Sequence, residues 1–104
     1  MEIYRKAVEL SEEGRRVVLG IVVWAQGSTP QKPGSKALID DRGTQWGTMG
    51  GGLVEAEGLE RMRRSLDAGG PDYFEYRLDA AYSRAAGPIC GGVMRIFADP
   101  RVTM

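Results

Sequence analysis

Histidine is absent from this chain of 104 residues. That one absence removes the usual general base, the usual metal ligand and the usual pH switch. Cysteine occurs once, as Cys90, so no internal disulfide can form. With neither a second cysteine nor a histidine, the chain lacks the usual ligand set of a zinc site. Net charge is also missing: fourteen basic residues balance fourteen acidic ones, and nothing in that balance points to nucleic acid or to an anionic membrane. The longest apolar run, Val17–Ala25, falls far short of the ~20 residues that span a bilayer. The first residues lack the basic-then-apolar order of a secretory signal. A reduced, cytoplasmic setting is the expectation.

Hydrophobic residues make up 42% and charged residues 27%, the balance of one globular domain able to bury a small core. The chain is organised around Gly47–Glu57, where Gly50, Gly51 and Gly52 follow a strand-like run and open a helix-like one. Glycine costs the most entropy to fix, so three in a row imply close approach of something to the backbone. A helix start presents unpaired N–H groups and a partial positive charge, which suit a phosphate or similar oxyanion. A tight turn packing a helix on a sheet explains the same glycines, and the loop alone leaves both readings open. No Gly-Lys-Ser/Thr follows, so this is not a P-loop, and the G-x-G-x-x-G spacing of a dinucleotide fold is missing.

Elsewhere, helical spacing of Ile3, Tyr4, Ala7 and Val8, with Leu10 close to that face, predicts a helix over Ile3–Glu13, ended by Gly14. Val17–Trp24 reads as a strand buried on both faces, with Gly20 marking a close contact or bulge. Gln26–Gly34 is a loop rich in Gly, Ser, Thr and Pro that leaves the end of this strand. It carries the hydroxyls of Ser28 and Thr29 and the charge of Lys32, with Lys36 just beyond. Its composition also fits a solvated connector. Ser35–Ile39 and Thr44–Gly47 read as a hairpin around Asp40-Asp41-Arg42-Gly43. Trp46 is expected to anchor a core or an interface. Leu53–Leu66 reads as a second helix with the stripe Ala56, Leu59, Met62 and Leu66, and its Glu55 lies one turn from the glycine loop. Tyr73–Leu78 and Val93–Ala98 read as strands, with a loop over Asp79–Pro88 between them. Cys90-Gly91-Gly92 is a second place open to close approach. There the thiol reads equally as a small buried hydrophobe or as a reactive group served by nearby N–H donors. The fold class predicted is α+β, a single small domain with a mixed sheet packed with two main helices.

Three segments together resemble the XdhC/CoxI family of accessory factors for xanthine dehydrogenase and carbon monoxide dehydrogenase. They are Gly27-Ser28-Thr29-Pro30 with Lys32-Pro33-Gly34, then Gly47–Gly52 with Glu55, then Cys90-Gly91-Gly92, in the family's order and rough spacing. The resemblance runs over most of residues 1–104 and corresponds to the family's N-terminal domain, without its C-terminal Rossmann-like domain. It implies a cytoplasmic chaperone more than an enzyme. Such a chaperone binds the molybdenum cofactor (molybdopterin) and assists maturation of a molybdenum hydroxylase. The expected cofactor-binding residues are Ser28, Thr29, Lys32, Gly50, Gly51, Gly52, Glu55, Cys90, Gly91 and Gly92, with Cys90 near the molybdenum. No catalytic residue is assigned. Expected partners are a molybdenum hydroxylase subunit, a separate Rossmann-like domain protein or a cysteine desulfurase, and a second copy of the chain, with no nucleic acid and no membrane. The chain departs from the family at Gln31, where Arg is common, and at Ala37, where Met is common. The first change removes a bidentate phosphate donor. The alternatives are an interaction module anchored by Trp24 or Trp46 around a vestigial site, and a sulfur-transfer protein dependent on Cys90.

Overall fold

The computed structural model describes residues 2–29, 31–48, 52–77 and 92–101. In chain order these form α1 (Ile3–Glu12), β1 (Val17–Gln26), β2 (Lys36–Asp40), β3 (Gln45–Gly47), α2 (Gly52–Ala68), β4 (Asp72–Arg77) and β5 (Val93–Asp99). The strands make one sheet in the order β3-β2-β1-β5-β4. The α+β class expected from the sequence is the one observed. The sheet itself is not mixed, because each of its four pairings is antiparallel. The continuous apolar run of β1, which resembles a parallel strand, has another cause: β1 is central and covered on both faces.

The two cores show this directly. Val18 and Val22 of β1 join Met62 and Leu66 of α2, Phe74 and Tyr76 of β4, and Met94, Ile96 and Ala98 of β5. Val17 and Leu19, pointing the other way, join Leu38 of β2 and Ala7 and Leu10 of α1. Successive strand residues face opposite sides, so a strand between two helices is apolar at nearly every position. Gly20 lets α2 come close: a Cβ there would lie 2.7 Å from Met62 Sδ. The irregularity in β1 is at Val23, which bulges out of register against β5 between Val22 and Trp24.

Both helices turn differently from the predicted stripes. In α1, Ala7 and Leu10 are buried and Ile3 packs against them, while Tyr4 and Val8 are about half exposed. The buried set i, i+4, i+7 is the narrower face that one thin sheet layer can cover. In α2, Ala56 is exposed and Ser65 is buried instead. Ser65 fits there because its hydroxyl donates to Gly70 O at 2.6 Å. Trp46 packs on the α1 cluster under Lys6, whose ammonium sits 5.3 Å from the ring centroid, so it serves the core. The predicted loop Asp79–Pro88, and Leu78 as the predicted last residue of its strand, lie outside the described residues.

The β2–β3 hairpin turns where expected, with Gly43 at φ +84°. Its anchor is Asp40, 3% exposed, whose Oδ1 accepts the N–H groups of Arg42 and Thr44 at 2.9 Å each. Its Oδ2 accepts Arg15 Nη2 at 2.6 Å, and Arg15 Nε donates to Asp41 Oδ1 at 2.8 Å. This pair holds the Asp41 carboxyl below its usual range, with the hydrogen bond from Arg15 as the main cause.

Candidate functional site

The topology brings the predicted segments to one end of the sheet. At that end β1 finishes at Gln26, β2 begins at Lys36, β3 finishes at Gly47, α2 begins at Gly52 and β5 begins at Val93. The loop after β1 is built from its own polar groups. Gly34 N–H donates to Val22 O at 2.7 Å and Val22 N–H to Ser35 O at 2.9 Å, continuing the ladder beyond β2. Thr29 Oγ1 donates to Gln31 O and Ser35 Oγ to Gln31 Oε1, both at 2.9 Å. Gln31 therefore organises the loop from inside, a role no spacing in the sequence signals. Ser28 and Lys32 lie on the exposed side of the same loop.

Gly92 fastens this loop to the start of β5. A Cβ at Gly92 would overlap the Ser28 carbonyl oxygen, and it would stand 2.7 Å from Thr29 Cγ2 and 2.8 Å from Gln26 O. Two predicted segments thus meet here, and the glycine is required by main-chain packing between them. Gly47 has the same kind of reason: φ is +81° and a Cβ would overlap Lys36 O.

Glu55 closes the third segment. Its Oε1 accepts Gln45 Nε2 at 2.8 Å and Thr48 Oγ1 at 2.7 Å. Gln45 Nε2 also donates to Gly47 O at 2.9 Å. The first turn of α2 is thereby clasped to the end of β3, on either side of the glycine run. Thr48 belongs to the predicted Gly47–Gly52 segment, whereas no signal in the sequence pointed to Gln45. Gly50, Gly51, Cys90 and Gly91 lie outside the described residues. Among the described residues no group of three His, Cys, Asp or Glu could hold a metal.

The chemistry offered at this end is a hydroxyl at Ser28, an ammonium at Lys32, the start of a 17-residue helix and the acceptor carboxylate of Glu55. Those groups fit an anion attached to a hydrogen-bonding heterocycle, and so fit a pterin phosphate. Near this end the Arg95 guanidinium is held high by its hydrogen bond to Glu75, and other displaced groups lie further away. Arg61 donates twice to Asp72, at 2.8 and 3.0 Å, and that bond holds the Asp72 carboxyl low at the far end of the sheet.

A five-stranded antiparallel sheet between two helices, with glycine-built loops gathered at one end, defines a small α+β domain. The model of the XdhC and CoxI family matches residues 10–77, and the chain belongs to that family. It is 32% identical over 97 residues to YqeB of Escherichia coli (strain K12), itself described as uncharacterised, covering 93% of this chain and 18% of YqeB. Its fold is also similar to the crystal structure of a xanthine dehydrogenase from Bacillus halodurans. There the TM-score is 0.78 at 18% identity, covering 99% of this chain and 33% of that one. The chain spans about a fifth of the first relative and a third of the second. Among the described residues no helix is long and apolar enough to cross a membrane.

Proposed function

We propose that this domain holds the molybdenum cofactor for delivery to a hydroxylase of the xanthine or carbon monoxide dehydrogenase type, acting as an accessory protein. Family membership supports the reading. The observation that carries it is the gathering of the Ser28–Lys32 loop, the Glu55 clasp and Gly92 at one end of the sheet. In this reading Lys32 and the N-terminal amides of α2 hold the cofactor's phosphate. Ser28, Thr29 and Glu55 accept hydrogen bonds from the pterin. The remaining glycines, Gly50, Gly51, Gly52 and Gly91, give it room, and Cys90 stands beside the molybdenum. Thr29 uses its own proton on Gln31 O, so it serves the pterin only as an acceptor. The bound cofactor would supply the molybdenum–sulfur chemistry, and the chain itself would bind and shield it. The relatives are several times longer, so a further domain, a hydroxylase subunit or a cysteine desulfurase completes the work in this scheme.

The test is native mass spectrometry with elemental analysis on protein co-expressed with cofactor biosynthesis. Bound molybdopterin or molybdenum, lost in Cys90→Ser and in Gly51→Val, is the expected result. A folded protein that emerges without cofactor under the same conditions overturns the reading.

A further inference from the structure

The two helices do not cover the sheet equally. On one face α2 packs across β1, β2, β4 and β5. On the other, the cluster around α1 takes residues of β1, β2 and β3, and among the described residues of no other strand. Directly opposed residues share a face. The register therefore sets Ile21 of β1, Phe97 of β5 and Tyr73 of β4 in one row on the α1 side, with Lys36 of β2 continuing it. The next row holds Trp24, Arg95 and Glu75. Ile21, Trp24 and Phe97 are only partly buried, and Tyr73 is 55% exposed.

α1 turns a matching flank to this half of the sheet. Its Ala7 and Leu10 point inward, and Lys6 lies over Trp46 on the β3 side. With about 3.6 residues per turn, Tyr4 and Val8 emerge on the side away from Lys6, towards β5. They are 47% and 53% exposed. The result is a trough with Ile21 and Phe97 as its floor, Tyr4 and Val8 as one wall and Tyr73 as the far rim. Its margin is mostly basic. Lys36 Nζ stands 5.4 Å from the Tyr4 ring centroid, and the Arg95 guanidinium 4.3 Å from that of Trp24. Arg77 and Arg95 share one carboxylate, Glu75, at 3.1 and 3.0 Å. Asp99, further along β5, is answered by Arg101 at 3.3 Å.

We propose that this trough docks an amphipathic helix of a partner protein, apolar along one stripe and acidic along the flank that meets Arg77 and Arg95. Width selects a helix: β1 and β4 stand two strand spacings apart, roughly 10 Å, and a helix with its side chains is about as wide. Laid beside α1, it completes the layer that α1 begins. Charge selects the acidic flank: Lys36, Arg77 and Arg95 face a single carboxylate, so further carboxylates are welcome there and further cations are not. Trp24, Tyr73 and Arg95 are also the residue types in which binding energy concentrates at interfaces. The proposal does not rest on cofactor binding.

Selection from a phage-displayed library of helical peptides on the wild-type chain tests it. The selected peptides are then titrated in solution and mapped by amide shift perturbation. They are expected to carry apolar residues at i, i+3, i+4 and i+7 with an excess of Asp and Glu, and to perturb Ile21, Phe97 and Tyr73. Arg95→Glu and Tyr73→Glu are expected to weaken them by about tenfold or more. Should a strand variant fold poorly, Val8→Glu on α1 gives the same reading from the other wall. A library that yields no binder overturns the proposal. So do peptides with a basic excess, a footprint on another face, or variants that bind as wild type does. A wild-type dimer in sedimentation velocity that Tyr73→Glu separates would give the trough to a second copy, and overturns it too.

Discussion

Gly92 stands against the Ser28 carbonyl so closely that a single added carbon would overlap it. This contact joins the strand that ends the described chain to the loop that leaves its central strand. Because the obstacle is main chain, it has no rotamer by which to yield. Gly92→Ala is expected to destabilise the domain by about 1–3 kcal/mol, the usual cost of forcing volume into a filled place. Urea unfolding measures it. Gly70→Ala, at a glycine of ordinary φ with open space where a methyl group would stand, is the control and should shift the midpoint little.

Asp40 is the polar centre of the opposite end. Alanine there strips two main-chain N–H groups and Arg15 of an acceptor. The expected loss is about 2–4 kcal/mol, the cost of orphaning buried donors. Asp40→Asn keeps the oxygen that the two N–H groups need and should lose clearly less. Equal losses in denaturant unfolding would show that the hairpin depends on charge and not on the two N–H bonds.

Tyr76 carries a pH signature. Burial, with Glu57 nearby and Arg61 opposing, pushes its phenol from 10.0 up to about 12. A folded pKa raised above the unfolded one gives stability that is complete below pH 10 and is lost as pH rises through about 12. Spectrophotometric titration should show one phenol ionising late, and Tyr76→Phe should abolish that step. The same variant should flatten the fall in stability over this alkaline window.

Asp72 works in the acid direction. Its carboxyl is held below 3.8, chiefly by the hydrogen bond from Arg61. Stability from a lowered carboxyl is present above the unfolded value and drains away as pH falls through the folded one. Arg61→Met should therefore weaken the acid dependence of unfolding below about pH 4, while leaving the neutral-pH profile the same shape.

Lys32 separates ligand binding from folding. The side chain is exposed on the loop after β1, so Lys32→Glu should leave the unfolding midpoint within about 0.5 kcal/mol. Cofactor retention on co-expression, read by molybdenum content, should nonetheless fall by roughly tenfold or more, as expected for reversing a charge beside an anion. Unchanged molybdenum content would remove Lys32 from the site.

The periodic parts of this fold were legible in the sequence because period and composition agree in them. Val17–Trp24 reads as a doubly buried strand and is one over Val17–Val22, with Val23 bulged outward, and the Gly43 turn falls where its residue types place it. The direction of pairing was not legible, since a run apolar on both faces looks the same whether its neighbours run with it or against it. The helix stripes were half legible: Met62, Leu66 and Ala7 are inside. Tyr4, Val8 and Ala56 are not, because coverage depends on how wide a sheet lies beneath. At the candidate site, Ser28, Thr29, Glu55 and Gly92 were found by motif and do share one end. Gln45 was missed, Gln31 entered only as a departure from the family and Thr48 only within its glycine segment, because their work is to hold neighbours through single hydrogen bonds, which leave no pattern along a chain.

The two ends of the sheet differ in what they are made of. One end is fixed by carboxylate–guanidinium pairs at Arg15 with Asp40 and Asp41, and at Arg61 with Asp72. The other has closely packed glycines in its loops, with the exposed Glu75–Arg77 and Glu75–Arg95 pairs beside them on β4 and β5. Rising ionic strength screens the exposed pairs, Glu75–Arg77 and Glu75–Arg95 first, and spares both the buried Arg15–Asp40 pair and the main-chain packing of Gly92. The junction of Gly92 with the loop after β1 thus keeps its shape in a changing ionic setting.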